Sequence, residues 1–417
     1  MLDVVRRVLV DTRPLRHPAY RLMFASTVVT AVGSQLTAVA VPKQIFDDTG
    51  SSSFVGLAGA VAFVPLVVFA LLGGSIADAV DRRRLLVATN AGIALTSAGL
   101  WLQALRDNRS VWVVLALLAV QQACFGLNSP ARGAAVPRLV PADELPAAQA
   151  LSSSVFFLGA VLGPLAAGAL IPVAGLPTLY LVDTVALLVT VVAMLRLPAL
   201  PAVATADGRR RPIGPRAVLE GLQHLRLHGI LLVSMLADVI AMVLGMPRAL
   251  FPEMAERTFG DPPGGGFALG LLFAAIPAGS LVAGLLSGTF TRIRRQGLTV
   301  TLAVSTWGVA VVGFGLSRSV WVGAAFLAVG GAADLVSMVF RSAILSTAAT
   351  DEMRGRLQGV FVVVVAGGPR LADLLHGTLG SVLGTRATVV GGGVLVVLAT
   401  LALVTAVPAF RHYRPPA

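Results

Sequence analysis

Runs of about 18 or more apolar residues recur from one end of this chain to the other, which is the length a helix needs to cross the roughly 30 Å hydrocarbon core of a bilayer. Inside lipid every backbone N–H and C=O must be satisfied within the segment, so continuous apolar runs of this length are read as helices. With that ruler the 417 residues divide into twelve spans, near 20–44, 53–78, 84–105, 110–130, 146–172, 176–197, 230–253, 267–290, 298–317, 320–345, 359–383 and 388–410. Charged residues make up 12% of the chain, against about 25% in a soluble domain. Mean hydropathy is +0.86. The expected fold class is an all-α membrane protein without a sizeable soluble domain.

The net charge of +12 is carried by arginines dispersed in short loops, which marks topology rather than nucleic-acid binding. One set of alternate loops holds Arg6, Arg7, Arg13, Arg82 to Arg84, Arg209 to Arg211, Arg294, Arg295, Arg411 and Arg414; the opposite loops hold Lys43, Arg106, Arg109, Arg248, Arg257, Arg318 and Arg386. The richer side is cytoplasmic by the positive-inside rule, which places both termini there and makes the number of spans even. Met1 to Tyr20 lacks a small-residue cleavage site, so the first apolar run is expected to stay. Cys124, the single cysteine, excludes an intrachain disulfide.

The longest interruption, 198–229, holds Pro198, Pro201, Pro212, Pro215 and a triple arginine. It reads as a cytoplasmic linker between a six-helix bundle at 1–197 and another at 230–417. Its end, Arg216 to His228, alternates apolar and basic residues and fits either a surface-lying or a solvated helix. Weak matches at offsets of roughly 205 to 210 support two parallel halves: Gly74 with Gly284, Arg82 with Arg292, Arg132 with Arg341, and Gly163-Pro164 with Gly368-Pro369. Such a repeat puts a substrate path between the halves.

Between spans two and three stand Gly74, Asp78, Asp81, Arg82 and Arg83. A carboxylate at a helix end beside a basic cluster can latch neighbouring helices through charge-assisted bonds. An ordinary positive-inside loop explains the arginines but not Asp78 four residues after the glycine. This pattern resembles the loop signature of the major facilitator superfamily, departing from it at Ala79 and Asp81. The Asp-Arg-Arg form, with Ser129-Pro130-Ala131-Arg132 and the proline-rich stretch to Pro141, is similar to a bacterial branch that includes enterobactin exporters and lysophospholipid transporters. The resemblance implies two pseudo-symmetric six-helix bundles that rock around a central cavity lined by spans one, four, seven and ten.

Span five carries Gly159, Gly163, Pro164 and Gly168. Small residues four apart permit close helix approach and the proline permits a bend; the pattern resembles the antiporter motif of exporters. Ionisable groups inside spans are expensive and usually functional. Asp238, Asp334 and Asp373 are therefore candidates for proton coupling, with paired structural acids as the competing reading. Asp238 comes first because no basic residue lies within one turn of it. Asp334 and Arg341, seven apart, share a face and are placed to pair. Arg370, Asp373 and His376 form a second stripe. Gln35, Arg132, Arg341, Arg370 and His376 are the candidate cavity residues, Arg132 also reading as a snorkelling interface group. Asp183, Lys43, Asp47 and Asp48 read as interface groups.

No histidine cluster suits a metal, and no phosphate-binding glycine loop with lysine is present, so an enzyme, a cofactor or self-powered ATP-driven transport is not expected. The expectation is a monomeric, proton-coupled exporter of the bacterial inner membrane, carrying a siderophore-like or amphipathic organic compound. Lipophilic drugs and lysophospholipids are the alternative cargoes. A non-transporting sensor on the same scaffold is the alternative class, kept open by Gly288 where the second-half loop lacks an acid.

Overall fold

The computed structural model describes residues 11–201, 228–290, 293–348 and 351–414, without the side chains of 74–75, 77–79, 348, 351–363 and 366. Most of the linker, 202–227, and the extreme N-terminus lie outside the described residues, as do the side chains of Ser75 and Asp78 in the loop motif.

The expected spans appear as helices: α1 (Pro18–Thr49), α2 (Ser52–Ala79), α3 (Arg82–Leu105) and α4 (Val111–Ala135). The helical stretch Leu145–Leu195 is too long for one crossing and breaks at Gly175, whose φ of 71° only glycine adopts without strain, giving α5 (145–174) and α6 (176–195). The seventh span is composite: α7 (Gly229–Val239), a π-helical turn Ile240–Leu244, and α8 (Phe251–Arg257). There follow α9 (Phe267–Leu285), α10 (Gln296–Leu316), α11 (Val320–Ala348), α12 (Asp351–Leu383), α13 (Thr385–Ala406) and the short α14 (Pro408–Arg411). With the seventh segment counted once, these make twelve membrane helices among the described residues. Among the described residues ten stretches are long and apolar enough to cross a membrane, one of them the 54-residue pair broken at Gly175.

Several boundaries differ from the sequence reading: α1 runs on to Thr49 and α4 to Ala135, each five residues past the expected end. The eighth span ends at Leu285 rather than near 290, because Ser287–Thr289 tightens into a 3-10 turn. The eleventh begins at Asp351, eight residues early, because the polar stretch before the apolar run is helical too.

The described chain forms two compact units. The first takes in the chain to Ala38, Pro65–Gly163 and the segment from Ala174; the second takes in Val39–Val64, Pro164–Val173 and the later helices. The end of α1, the start of α2 and the end of α5 are thus packed with the C-terminal helices.

Candidate functional site

In the first unit the loop after α2 is tied down by its own polar groups. Asp81 is the N-cap of α3, its Oδ1 accepting from Arg84 N–H at 3.2 Å. The Arg82 N–H donates to the Leu200 carbonyl at 3.0 Å and the Arg83 guanidinium to the Leu195 carbonyl. Asp81 therefore serves as a cap, and the two arginines hold the end of α6. Gly73 lets α2 approach α4: a β-carbon there would lie 2.8 Å from Pro130 Cγ.

Arg132, in the last turn of α4, donates from Nη1 to Thr27 Oγ1 of α1 at 3.0 Å. Its Nε is enclosed without a hydrogen-bond partner, and no carboxylate pairs with it among the described residues. A guanidinium held this way leaves donor capacity for an anion.

Two glycines of the α5 motif meet α1. A β-carbon at Gly159 would lie 3.2 Å from Ala31 Cβ, and one at Gly163 would collide with the Gln35 stem. Gln35 thus covers the helix crossing. Asp183 corrects the interface reading: it is 1% exposed, two turns inside α6, where Oδ2 accepts from Thr37 and Ser97 hydroxyls, each at 2.8 Å. This carboxyl joins α1, α3 and α6.

In the second unit, Asp238 of α7 meets Arg341 of α11 at 2.5 Å, with side chains 2% and 3% exposed. Arg341 Nε also donates to Ser337 Oγ at 3.1 Å, while Asp238 Oδ2 has no hydrogen-bond partner. The partner of Arg341 is therefore Asp238 across two helices rather than Asp334 along one. Asp334 stands within electrostatic reach of both. The absence of a basic neighbour for Asp238 holds only along its own helix.

The π turn begins two residues after Asp238, and such bulges free carbonyls that need outside donors. Trp307 Nε1–H of α10 donates to the Ala241 carbonyl at 3.1 Å, and His376 Nε2–H of α12 to the Leu244 carbonyl at 3.0 Å. His376, 1% exposed, thereby supports the bulge. On the same helix Arg370 and Asp373 stand 3.9 Å apart, and Asp373 packs on Gly59 of α2, where a β-carbon would lie 2.6 Å from its Cβ.

Three joints in this unit were missed by the sequence reading. Lys43, the sole lysine, is 1% exposed and binds Asp47 on its own helix and Glu256 of α8, the latter at 2.7 Å. It corrects the reading of Lys43 as an interface group: the ring of Phe46 and the two acids enclose it. Ser52 Oγ donates to Glu253 Oε2 at 2.5 Å, and Ser53 and Ser381 hydroxyls meet at 2.7 Å. The third joint is glycine on glycine: a β-carbon at Gly168 would lie 2.8 Å from Gly270 Cα, and one at Gly270 would strike the Pro164 carbonyl. The motif of α5 thus does double duty, Gly163 against α1 and Gly168 against α9.

Twelve helices, glycine-lined crossings and enclosed charge groups define a polytopic membrane transporter. The chain matches the family described as transmembrane secretion effector over residues 11–413. It belongs to that family, within the major facilitator superfamily. It is 28% identical over 405 residues to the enterobactin exporter EntS of Escherichia coli strain K12, covering 95% of this chain and 94% of that one. The enterobactin exporter of Shigella boydii serotype 4 is 29% identical over 397 residues, covering 93% and 92%. Among solved structures, a bacterial homologue of the human lysosomal transporter Spinster, inward-facing and unoccupied, superposes with a TM-score of 0.73 at 14% identity over 97% of this chain and all of that one. The nucleoside transporter NupG gives 0.74 at 12% identity over 95% and 100%. These last two show the shared fold.

Proposed function

We propose that this transporter exports a siderophore-like or amphipathic organic compound across the bacterial inner membrane in exchange for protons, as a monomer with both termini cytoplasmic. The observation that carries the reading is the enclosed group of Asp238, Asp334 and Arg341: two acids share one arginine, so one proton balances the charge. The Asp238–Arg341 pair binds α7 to α11, and a proton taken up by the three-residue group changes the charge balance that holds this tie. The π turn beside it is a natural hinge for that release. Arg132 supplies the anion-recognising group, and the joints at Lys43, Ser52 and Gly270 act as the gate on the outer side. The relatedness to enterobactin exporters and the arginine-rich loops support the cargo and the orientation.

The test is transport in proteoliposomes under an imposed pH gradient, with a catechol siderophore, a lipophilic cationic drug and a lysophospholipid as probes. Gradient-dependent movement of the siderophore is expected. Movement of only the drug or only the lipid reassigns the cargo, and movement of none favours the sensor.

A further inference from the structure

Where α10 begins and α13 ends, a cavity of about 550 Å³ is lined by Arg295, Leu298, Arg411, His412 and Arg414. Among the described residues none of the three arginines is paired with a carboxylate. The arginines are exposed, yet the walls are fixed. Phe410, 0% exposed, seats α14 on the first turn of α10, where a β-carbon at Gly297 would overlap the Phe410 carbonyl. Tyr413 N–H donates to that same carbonyl at 3.0 Å, and its hydroxyl meets Thr347 Oγ1 at 3.0 Å. His412 Nδ1–H donates to the Pro408 carbonyl at 3.0 Å, which leaves Nε2 for the cavity. The chain carrying Arg411 and Arg414 is thus pinned on both sides, so the positive charge is preorganised rather than spread over a loose tail.

We propose that this cavity binds the headgroup of an anionic phospholipid. Two spans end here, which sets the cavity at the level of lipid phosphates, and guanidinium groups match phosphate oxygens with paired donors. What favours a lipid over free phosphate is the surface that continues from it. Leu298 lies one turn from Leu302, which is 59% exposed, and Val309 on the same face is 58% exposed. On α13 Leu398 and Leu401 are exposed in the last turns before the cavity. An acyl chain would lie along these residues while the phosphate sits among the arginines. The latch, the gate and the acids on α7 and α11 play no part, so the assignment stands apart from the transport reading.

The experiment uses the full-length protein and vesicles of phosphatidylcholine with or without phosphatidylglycerol. Bound lipid is counted by native mass spectrometry and its effect followed by thermal unfolding. Wild type is expected to retain phosphatidylglycerol selectively and to unfold at higher temperature with it. Each arginine contributes about a fivefold factor, so Arg295→Gln/Arg411→Gln/Arg414→Gln loses on the order of a hundredfold in selectivity, with unchanged unfolding in phosphatidylcholine alone. Arg386→Gln, at the opposite end of α13, keeps the selectivity. Equal retention of both lipids, equal loss in Arg386→Gln, or displacement of phosphatidylglycerol by millimolar inorganic phosphate overturns the proposal.

Discussion

Asp238 of α7 and Arg341 of α11 are joined at 2.5 Å with side chains only 2% and 3% exposed, so each is the countercharge that makes the other tolerable inside the protein. Removing one partner strands the other. Asp238→Asn is expected to lower stability by about 3 kcal/mol, within the range for an orphaned buried charge. The double variant Asp238→Asn/Arg341→Met recovers at least half of that loss. Thermal unfolding in detergent of both single variants and the double closes the cycle, and strictly additive losses would contradict a direct pair.

Gly270 sits where a side chain would strike the backbone of α5 at Pro164. Gly270→Val is expected to cost about 1–3 kcal/mol through overpacking and to slow transport, since backbone cannot give way as a flexible side chain can. Gly391→Ala is the control, because nothing lies within 4 Å of a β-carbon there. Equal effects in the two variants would remove the close crossing from the account.

Lys43 holds Asp47 and Glu256 together while almost fully enclosed. Lys43→Met leaves two acids facing each other and should free the end of α1 from α8. If the loss is about 3 kcal/mol, the freed population rises roughly a hundredfold. In a Cys124→Ala background, labelling of Ser52→Cys by a membrane-impermeant maleimide reports it: Ser52 is 1% exposed in the closed joint. An unchanged labelling rate would mean that Lys43 does not hold the gate.

Among the described residues Arg132 keeps an enclosed Nε without a partner and has only the Thr27 hydroxyl as an acceptor. Arg132→Gln is expected to raise KM for an anionic cargo about tenfold, from a charge-assisted bond contributing about 1.5–3 kcal/mol, and to leave a neutral cargo unaffected. Equal losses for both cargoes would make Arg132 a structural residue.

The spans, the break near Gly175 and the glycine motif of α5 were legible in the sequence because lipid imposes length locally and glycine spacing imposes closeness locally. Partnerships across helices were not. Lys43 and Glu256 are 213 residues apart in the chain, and nothing near either residue in the sequence specifies the other. Arg341 was read as a mate for Asp334 because seven residues put both on one face, but packing brought Asp238 closer. Asp183 read as an interface group because it lies early in its span, yet α1 and α3 close over it with Thr37 and Ser97. The role of His376 depends on a π turn that composition does not announce, and on Gly392, where a β-carbon would lie 3.3 Å from the His376 ring.

In the proposed mechanism outward transport is driven by protons acting at Asp238. The most direct measurement is siderophore uptake into everted membrane vesicles as a function of the imposed pH gradient, for wild type and Asp238→Asn. Wild-type uptake is expected to rise with the gradient and collapse when it is discharged, while Asp238→Asn shows only gradient-independent exchange. Asp238→Asn uptake that follows the gradient as wild type does would contradict it.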